Sequence, residues 1–362
     1  MCDDAQGIVV DMPKTPSNRA AEAAALQRAT GGDFKPNAHR QPVMDFNGFA
    51  TTESCELSCV FCHFDGPNAI KKARTLDPEM VEKGLAQVPA GTKVHFAATG
   101  DFFQDPHALD HLRASIALGH PVNVLSHGQS MPPERLEEML AMGVREFRFS
   151  VDHIEPRQYA KIRRGGDLER VLATIAYLRQ RRADIADISV EVNCILIGDA
   201  RDRMEEFADF WSTRVDAVYF HAEYYDTLKF RNLFFVPERR NDCHIQLYVL
   251  PSGQIAPCCA MMVQAHEGDA AWLPNIADTS LQAAYDRLCD MYEDPSSELG
   301  KVCAKCDWWV MWSDQRGGCS PYLKAVRFDQ PAPPVEEPVT GPDAPLGLAN
   351  RVRQALASFL RT

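Results

Sequence analysis

The chain has 362 residues, of which 45% are hydrophobic and 24% charged, and its formal net charge is -12 at pH 7. This length and hydrophobic fraction allow a large buried core and favour a main domain with a smaller one. The negative charge disfavours nucleic acid as the main partner, because Lys and Arg supply most of the affinity for phosphates. No segment approaches the roughly 18 consecutive apolar residues of a membrane span, and the acidic N-terminus does not resemble a secretory signal. We therefore expect a globular cytoplasmic protein that binds neither nucleic acid nor a membrane.

Residues 1–42 are polar and rich in alanine, and we interpret them as an N-terminal arm. From residue 43 onward, apolar runs alternate with segments of helical periodicity, which is typical of βαβ units. Several of the apolar runs have no polar face, as expected for strands of a parallel sheet. The expected strands are Val43–Ala50, Val94–Thr99, Val122–Ser126, Phe147–Val151, Ile188–Ile197 and Ala217–His221. The sequence thus predicts an α/β fold with a partial (β/α)6 TIM-like barrel over residues 43–236.

Three helix starts are visible between these strands. Asp77-Pro78 combines an N-cap with a proline at the first helical position. Pro133 begins a second helix that we expect to end at Gly143, and Asp167 precedes a third. Connections of this length are compatible with the right-handed crossovers of a parallel sheet.

The regular alternation stops near residue 237, and the remaining cysteines follow in a region rich in Trp, Gly and Pro. We predict a small cysteine-rich domain over residues 237–325. The segment from Leu247 to Cys258 is expected to form a β-hairpin that turns at Pro251-Ser252-Gly253. Residues 326–344 have the composition of a proline-rich linker, and residues 345–362 are expected to form an amphipathic helix that packs on the body or on a second subunit.

The most informative segment lies directly after the first predicted strand and contains Cys55, Cys59 and Cys62. Reactive groups in parallel α/β folds collect at the carboxyl ends of the strands. Three close thiolates favour a cuboidal iron–sulfur cluster in which one iron has no protein ligand. A zinc site is the alternative, although structural zinc normally has four protein ligands and His63 would complete a tetrahedron only with strain.

The CxxxCxxC spacing, with Phe61 before its last cysteine, resembles that of the radical S-adenosylmethionine (radical SAM) enzymes. The resemblance implies that Cys55, Cys59 and Cys62 hold a [4Fe–4S] cluster whose fourth iron binds S-adenosylmethionine (SAM). It also implies that one electron, from a partner such as flavodoxin or ferredoxin, cleaves SAM to a 5′-deoxyadenosyl radical.

Further segments resemble the family in the same order along the chain. Thr99-Gly100-Asp101 lies where the family usually carries Gly-Gly-Glu, whose acid accepts a hydrogen bond from the SAM ammonium. Aspartate keeps the charge with a shorter reach, and a helix cap is its alternative role. An arginine suits the SAM carboxylate because its planar fork binds two oxygens. The cofactor-binding residues that the resemblance implies are Gly100, Asp101, Ser126, Ser150, Asp152, Arg163 and Asn193.

A second group of cysteines lies in the C-terminal third. Cys243, Gly253 and Cys258 have CX9GX4C spacing, and Cys303 and Cys306 follow as CxxC. This pattern resembles the SPASM/twitch extension of radical SAM enzymes, where such cysteines carry auxiliary [4Fe–4S] clusters. A zinc ribbon made of the same four thiols is the alternative.

The full SPASM pattern has a further cysteine where this chain has Trp312, so we expect a single auxiliary [4Fe–4S] cluster of the twitch type. Either Cys259 or Cys319 remains open as a replacement ligand. A cluster with four cysteine ligands has no open iron, and its expected role is to pass an electron or to shape the substrate pocket.

The last predicted strand continues beyond residue 217 with a run of polar and aromatic residues. His221, Glu223 and Tyr224 are the candidates for proton or hydrogen-atom transfer near a substrate radical, and core packing is the alternative. We expect a radical SAM oxidoreductase or maturase that abstracts a hydrogen atom from a peptide or an amino-acid-derived natural product, leading to crosslinking, oxidation or epimerisation. The alternatives are a dehydrogenase or epimerase of a sugar or other small metabolite, and a noncatalytic iron–sulfur electron carrier.

Overall fold

The computed structural model describes residues 40, 43–62, 74–96, 99–197, 200, 202–222, 245–267, 270–303 and 323–328. The strands in these ranges are β1 Phe46–Phe49, β2 Ser58–Cys59, β3 Val94–Phe96, β4 Val122–Ser126, β5 Glu146–Ser150, β6 Arg163–Arg164, β7 Ser189–Leu196, β8 Ala217–Ala222, β9 Leu247–Val249, β10 Ile255–Ala256 and β11 Leu323–Arg327. The helices are α1 Pro78–Leu85, α2 Ala108–Ala117, α3 Pro133–Met142, α4 Pro156–Ile162, α5 Leu168–Arg181, α6 Met204–Ser212, α7 Cys259–Glu267, α8 Leu281–Glu293 and α9 Glu298–Cys303, with a 3-10 turn at Phe102–Gln104.

Within the described residues, one sheet has nine strands in the order β10-β9-β1-β3-β4-β5-β7-β8-β11. All neighbours from β9 to β8 pair in parallel, and the two edge strands β10 and β11 are antiparallel to theirs. The fold is therefore α/β with the sheet of a partial TIM-like barrel, as predicted. The six predicted strands are β1, β3, β4, β5, β7 and β8; β4 has the predicted ends, and the other five differ at one or both ends by one to three residues.

The predicted hairpin is confirmed, since β9 and β10 pair in antiparallel fashion. Its turn requires glycine at residue 253, where φ is +79° and an added Cβ would lie 2.7 Å from Oδ1 of Asn275. The strand β9 also pairs with β1, with Phe49 opposite Val249. The barrel sheet thus extends beyond the six strands that the sequence indicated, into the range assigned to the C-terminal domain. The division of the chain into domains stays a prediction.

Local sequence explains where the helices begin and end. The Asp77 side chain accepts a hydrogen bond from the Glu79 N–H at the start of α1, and the Asp167 side chain accepts from Glu169 and Arg170 at the start of α5. Gly143 ends α3 in the left-handed conformation, with φ of +103°. All three helix signals identified in the sequence are confirmed.

Alternation along the central strands gives the sheet two different faces. Phe147 and Phe149 of β5 are fully buried, and so is Val192 of β7; they belong to the core that also contains the apolar side chains of the helices. Arg148 of β5 and Glu191 of β7 point to the opposite face and are half-buried. Polar groups therefore occupy the face of the sheet away from the helices. Among the described helices, none has the length and apolarity to cross a lipid bilayer.

Candidate functional site

A short antiparallel pair positions the three-cysteine loop, which comprises residues 55–62. Cys59 of β2 pairs with Arg163 of β6, and the Val60 N–H donates to the Ile162 carbonyl over 2.9 Å. The Cys62 N–H donates to the Cys59 carbonyl over 3.1 Å, which closes a turn. The loop that follows β1 is thus held against the segment that follows α4.

The three thiols influence one another, as ligands of one centre do. The pKa of Cys55 is raised to about 12 and that of Cys59 to about 11, chiefly by burial and in smaller part by neighbouring cysteines. The Arg163 guanidinium acts in the opposite direction on Cys59, and its Nη1 lies 4.0 Å from Sγ of Cys59. A soft, all-thiol donor set next to a fixed cation fits a negatively charged iron–sulfur cluster.

Nowhere in the described ranges, this loop included, do three His, Cys, Asp or Glu side chains converge as ligands of one metal ion. In a cuboidal cluster each thiolate binds a different iron, so its ligands are spread over separate corners. Three thiols that do not converge on one point are therefore compatible with a cluster.

Arg163 is buried beside the loop and held by a carboxylate. Its Nε lies 2.6 Å from Oδ2 of Asp152, and its guanidinium lies over the Phe61 ring, 5.5 Å from the centroid. Burial opposes the charge, but Asp152 and Cys59 keep the pKa of Arg163 above its ordinary value. The other oxygen of Asp152 accepts the Ile195 N–H over 2.9 Å. The structure thus brings together two of the predicted cofactor-binding residues at one predicted cluster ligand.

Asp101 is a buried hub at the carboxyl ends of β3 and β4. Its Oδ1 accepts the Phe103 N–H over 3.0 Å and so caps the 3-10 turn. Its Oδ2 accepts the Ser126 hydroxyl over 2.7 Å and the His127 N–H over 3.0 Å. The cap considered as the alternative for Asp101 is present, and the same carboxylate also joins Ser126.

Gly100 allows the backbone before Asp101 to pack against the backbone before Cys55. An added Cβ at residue 100 would lie 2.4 Å from the Ser54 carbonyl oxygen. That carbonyl accepts the Asp101 N–H over 2.9 Å, and the Thr99 hydroxyl donates to the Thr52 carbonyl over 2.9 Å. The Thr99-Gly100-Asp101 segment therefore fixes the chain that leads into the three-cysteine loop.

Sequence reasoning missed His127. Its buried imidazole Nε2 lies 3.2 Å from Oδ2 of Asp101 and 3.6 Å from Oε1 of Glu56, the residue after the first cysteine. Burial lowers the pKa of His127 although both carboxylates act to raise it. The sequence signal that could have identified His127 is its position directly after Ser126, at the end of a predicted strand.

The remaining predicted residues of the barrel share the polar face of the sheet. Ser150 of β5 lies opposite Asn193 of β7, and Oδ1 of Asn193 lies 3.3 Å from Nε2 of His221 on β8. Burial, assisted by the Arg148 charge, lowers the pKa of His221 to about 4, so the imidazole is neutral at physiological pH. Glu223 and Tyr224 lie outside the described residues.

Two of the four predicted auxiliary ligands are described, and they occupy the ends of helices. Cys258 directly precedes α7, which begins at Cys259, and Cys303 is the last residue of α9. Cys243 and Cys306 lie outside the described residues, as does the spare Cys319. The auxiliary cluster therefore stays a prediction.

The similarity to known proteins agrees with this geometry. The sequence profile of the Radical SAM superfamily matches residues 49–211, which include the three-cysteine loop and every strand from β3 to β7. Residues 49–211 are therefore a radical SAM domain. Such a domain indicates a SAM-dependent enzyme with a [4Fe–4S] cluster. No curated protein sequence matches the chain.

Similar solved structures include two crystal structures of SuiB from Streptococcus suis. SuiB bound to S-adenosylmethionine has a TM-score of 0.53 and 15% identity, and the alignment covers 79% of this chain and 82% of that one. SuiB bound to the precursor peptide SuiA has a TM-score of 0.51 and 14% identity, with coverage of 79% and 73%. At these identities the similarity shows that the chain shares the fold of SuiB.

Proposed function

We propose that this chain is a radical SAM maturase that acts on a peptide or an amino-acid-derived natural product. Cys55, Cys59 and Cys62 would hold a [4Fe–4S] cluster, and with an electron from a flavodoxin or ferredoxin the chemistry supplied there would be cleavage of SAM to methionine and a 5′-deoxyadenosyl radical. That radical takes a hydrogen atom from a substrate C–H bond, giving 5′-deoxyadenosine and a substrate radical. The observation that carries the proposal is the three-cysteine loop in contact with Arg163, at the carboxyl ends of the parallel strands.

The residues around the loop have separate roles in this proposal. Arg163 compensates the charge of the thiolates, and Asp152 fixes its orientation through the 2.6 Å contact. Asp101 and Ser126 form the polar wall on the neighbouring strands, where the SAM ammonium would bind. Asn193 and neutral His221 provide hydrogen-bonding groups on the polar face of the sheet, where the substrate would lie. An auxiliary cluster at Cys243, Cys258, Cys303 and Cys306 would accept the electron that a net oxidation releases.

The preference for a peptide rests on the structural similarity to SuiB. SuiB, which shares the fold, has been crystallised with a precursor peptide, and its structure covers most of this chain. A sugar or another small metabolite is the competing substrate class. Peptide pools and sugars with deuterated C–H positions distinguish the two, because only a true substrate transfers deuterium to 5′-deoxyadenosine.

The experiment that tests the radical chemistry is anaerobic reconstitution with iron and sulfide, followed by dithionite reduction in the presence of SAM. We expect 5′-deoxyadenosine and methionine from the wild type and none from Cys55→Ala, Cys59→Ala or Cys62→Ala. Cys289→Ala is the matched control, since this cysteine is buried in α8 outside the loop. A reconstituted wild type that makes no 5′-deoxyadenosine would leave the noncatalytic electron carrier as the better interpretation.

A further inference from the structure

A buried contact between an imidazole and a carboxylate joins helix α7 to the entrance of the three-cysteine loop. Nδ1 of His266 lies 2.9 Å from Oε1 of Glu53, and both side chains are 2% exposed. The Arg74 backbone N–H donates to Oε2 of Glu53 over 3.1 Å, and the Arg74 guanidinium also pairs with this carboxylate. Glu53 therefore has two cationic or hydrogen-bonding partners, and one of them comes from a helix 213 residues further along the chain.

A small displacement of Glu53 would also move the first cysteine of the loop, Cys55. Glu53 lies two residues before Cys55, and its N–H donates to the Arg74 carbonyl over 2.8 Å. The next residue, Ser54, accepts the Asp101 N–H through its carbonyl. The chain entering the loop is thus held on one side by Asp101 and on the other by Arg74 and His266. These contacts fix the backbone that leads to Cys55.

Helix α7 is itself firmly packed. Met261, Met262 and Ala265 are buried in the core together with His266, and the helix begins directly after Cys258, a predicted auxiliary ligand. A shift of α7 would therefore be transmitted through His266, because a packed helix moves as a unit. The link connects the segments that carry the two predicted clusters.

Stability alone does not account for this pair. Removing a carboxylate and its polar partner from water costs free energy, and well-packed apolar residues of similar volume are often at least as stable. Buried ionic groups in some proteins instead fix one arrangement among several. Such specificity matters where a residue orients a metal ligand, because the orientation of the ligand affects metal affinity and activity.

We propose that Glu53 and His266 are positioning residues through which helix α7 fixes the place of Cys55. Both act through the cysteine and not on the substrate. The activity readout of this inference rests on the proposed function, whereas its spectroscopic readout requires only that the three-cysteine loop holds a cluster.

The test compares His266→Leu with His266→Asn. Leucine removes the contact while Arg74 still compensates Glu53, so no lone charge is buried; asparagine places an amide N–H near the position of Nδ1. We expect His266→Leu to retain wild-type iron content but to change the EPR spectrum of the reduced cluster with SAM, and to lower the rate of 5′-deoxyadenosine formation about tenfold. His266→Asn is expected to restore both. His120→Leu is the matched control, because His120 is a buried histidine at the opposite end of the strands, just before β4.

Wild-type EPR and rate in His266→Leu, or equal impairment in His266→Asn, would overturn the proposal. If His266→Leu does not fold, Glu53→Gln serves instead, since it keeps the shape of the side chain and weakens the same contact. In the double variant Glu53→Gln/His266→Leu, a decrease in the rate of 5′-deoxyadenosine formation equal to the product of the two single decreases would also contradict a shared link. A wild type that holds the cluster but makes no 5′-deoxyadenosine defeats the proposed function, while the EPR comparison still decides this inference.

Discussion

At the scale of single residues, Arg163 is the side chain whose contacts bear most directly on the predicted cluster. It is buried, it lies 2.6 Å from Asp152, and its Nη1 lies 4.0 Å from the sulfur of Cys59. One planar cation thus serves a carboxylate and a predicted cluster ligand at the same time. Lysine has neither the planar fork nor the reach to both partners, so the exchange is not conservative at this site.

We predict that Arg163→Lys lowers the rate of 5′-deoxyadenosine formation by about 10- to 100-fold, since the partner of a metal ligand is lost. The measurement is kcat and KM for SAM in the reconstituted enzyme. Arg164→Lys is the control, because the adjacent arginine is exposed. An Arg163→Lys enzyme with wild-type kcat and KM would contradict the role given to this guanidinium.

His221 makes a prediction about stability. Its pKa is lowered from 6.5 to about 4, so between these values the unfolded chain binds a proton that the folded chain does not. The free energy of unfolding must therefore fall as pH falls from about 6.5 to about 4, by up to about 3 kcal/mol. Urea unfolding across this range should show a smaller decline for His221→Gln, and equal slopes in the two proteins would refute the assignment.

At the scale of elements, the backbone contact between the Thr99-Gly100-Asp101 segment and residues 52–54 fixes the entrance to the site. Gly100→Ala would place a Cβ 2.4 Å from the Ser54 carbonyl oxygen. We predict a loss of about 1–3 kcal/mol in stability and reduced cluster loading, because the cysteine loop must move away. Gly91→Ala is the comparison: an added Cβ at Gly91 meets no atom within 4 Å, and only its φ of +76° is strained. Thermal melting and iron content measure both effects, and equal iron loading in the two variants would count against the contact.

Among these elements, the sequence predicts well the features that depend on local patterns. The cap at Asp77, the stop at Gly143 and the CxxxCxxC spacing are local patterns, and each is decided by residues a few positions apart. The pairing of β9 with β1 and of β11 with β8 is not local. A strand of three residues contains no information about which partner it will meet across the sheet.

The same distinction applies to the candidate site. Cys55, Asp101 and Ser126 were identified from their order along the chain and their place after strands. His127 and His266 were not, because their significance comes from carboxylates that approach them only in the folded protein. From the sequence alone, a histidine that contacts a carboxylate in the folded protein cannot be distinguished from one that only packs in the core.

At the scale of the whole molecule, two segments far apart in sequence meet around the three-cysteine loop. The barrel supplies the cysteines, Arg163 and Asp101, while residues after 245 supply β9 next to β1 and His266 next to Glu53. Cys258 lies between the hairpin and helix α7, which carries His266. The radical SAM domain and the C-terminal segment are thus joined by hydrogen bonds in the sheet and by the buried contact between His266 and Glu53.

This arrangement leads to a prediction about the metal content of the whole chain. Two [4Fe–4S] clusters give about eight irons per chain, and one gives about four. We predict about eight in the wild type and about four in Cys258→Ala, because the three-cysteine loop does not depend on that thiol. Cys258→Ala should still cleave SAM to 5′-deoxyadenosine but should lose net oxidation of a substrate. Cys259→Ala is the matched variant, since this cysteine is the rival ligand one residue away. Full iron in Cys258→Ala with about four in Cys259→Ala would transfer the ligand role to Cys259, and about four in the wild type would remove the auxiliary cluster altogether.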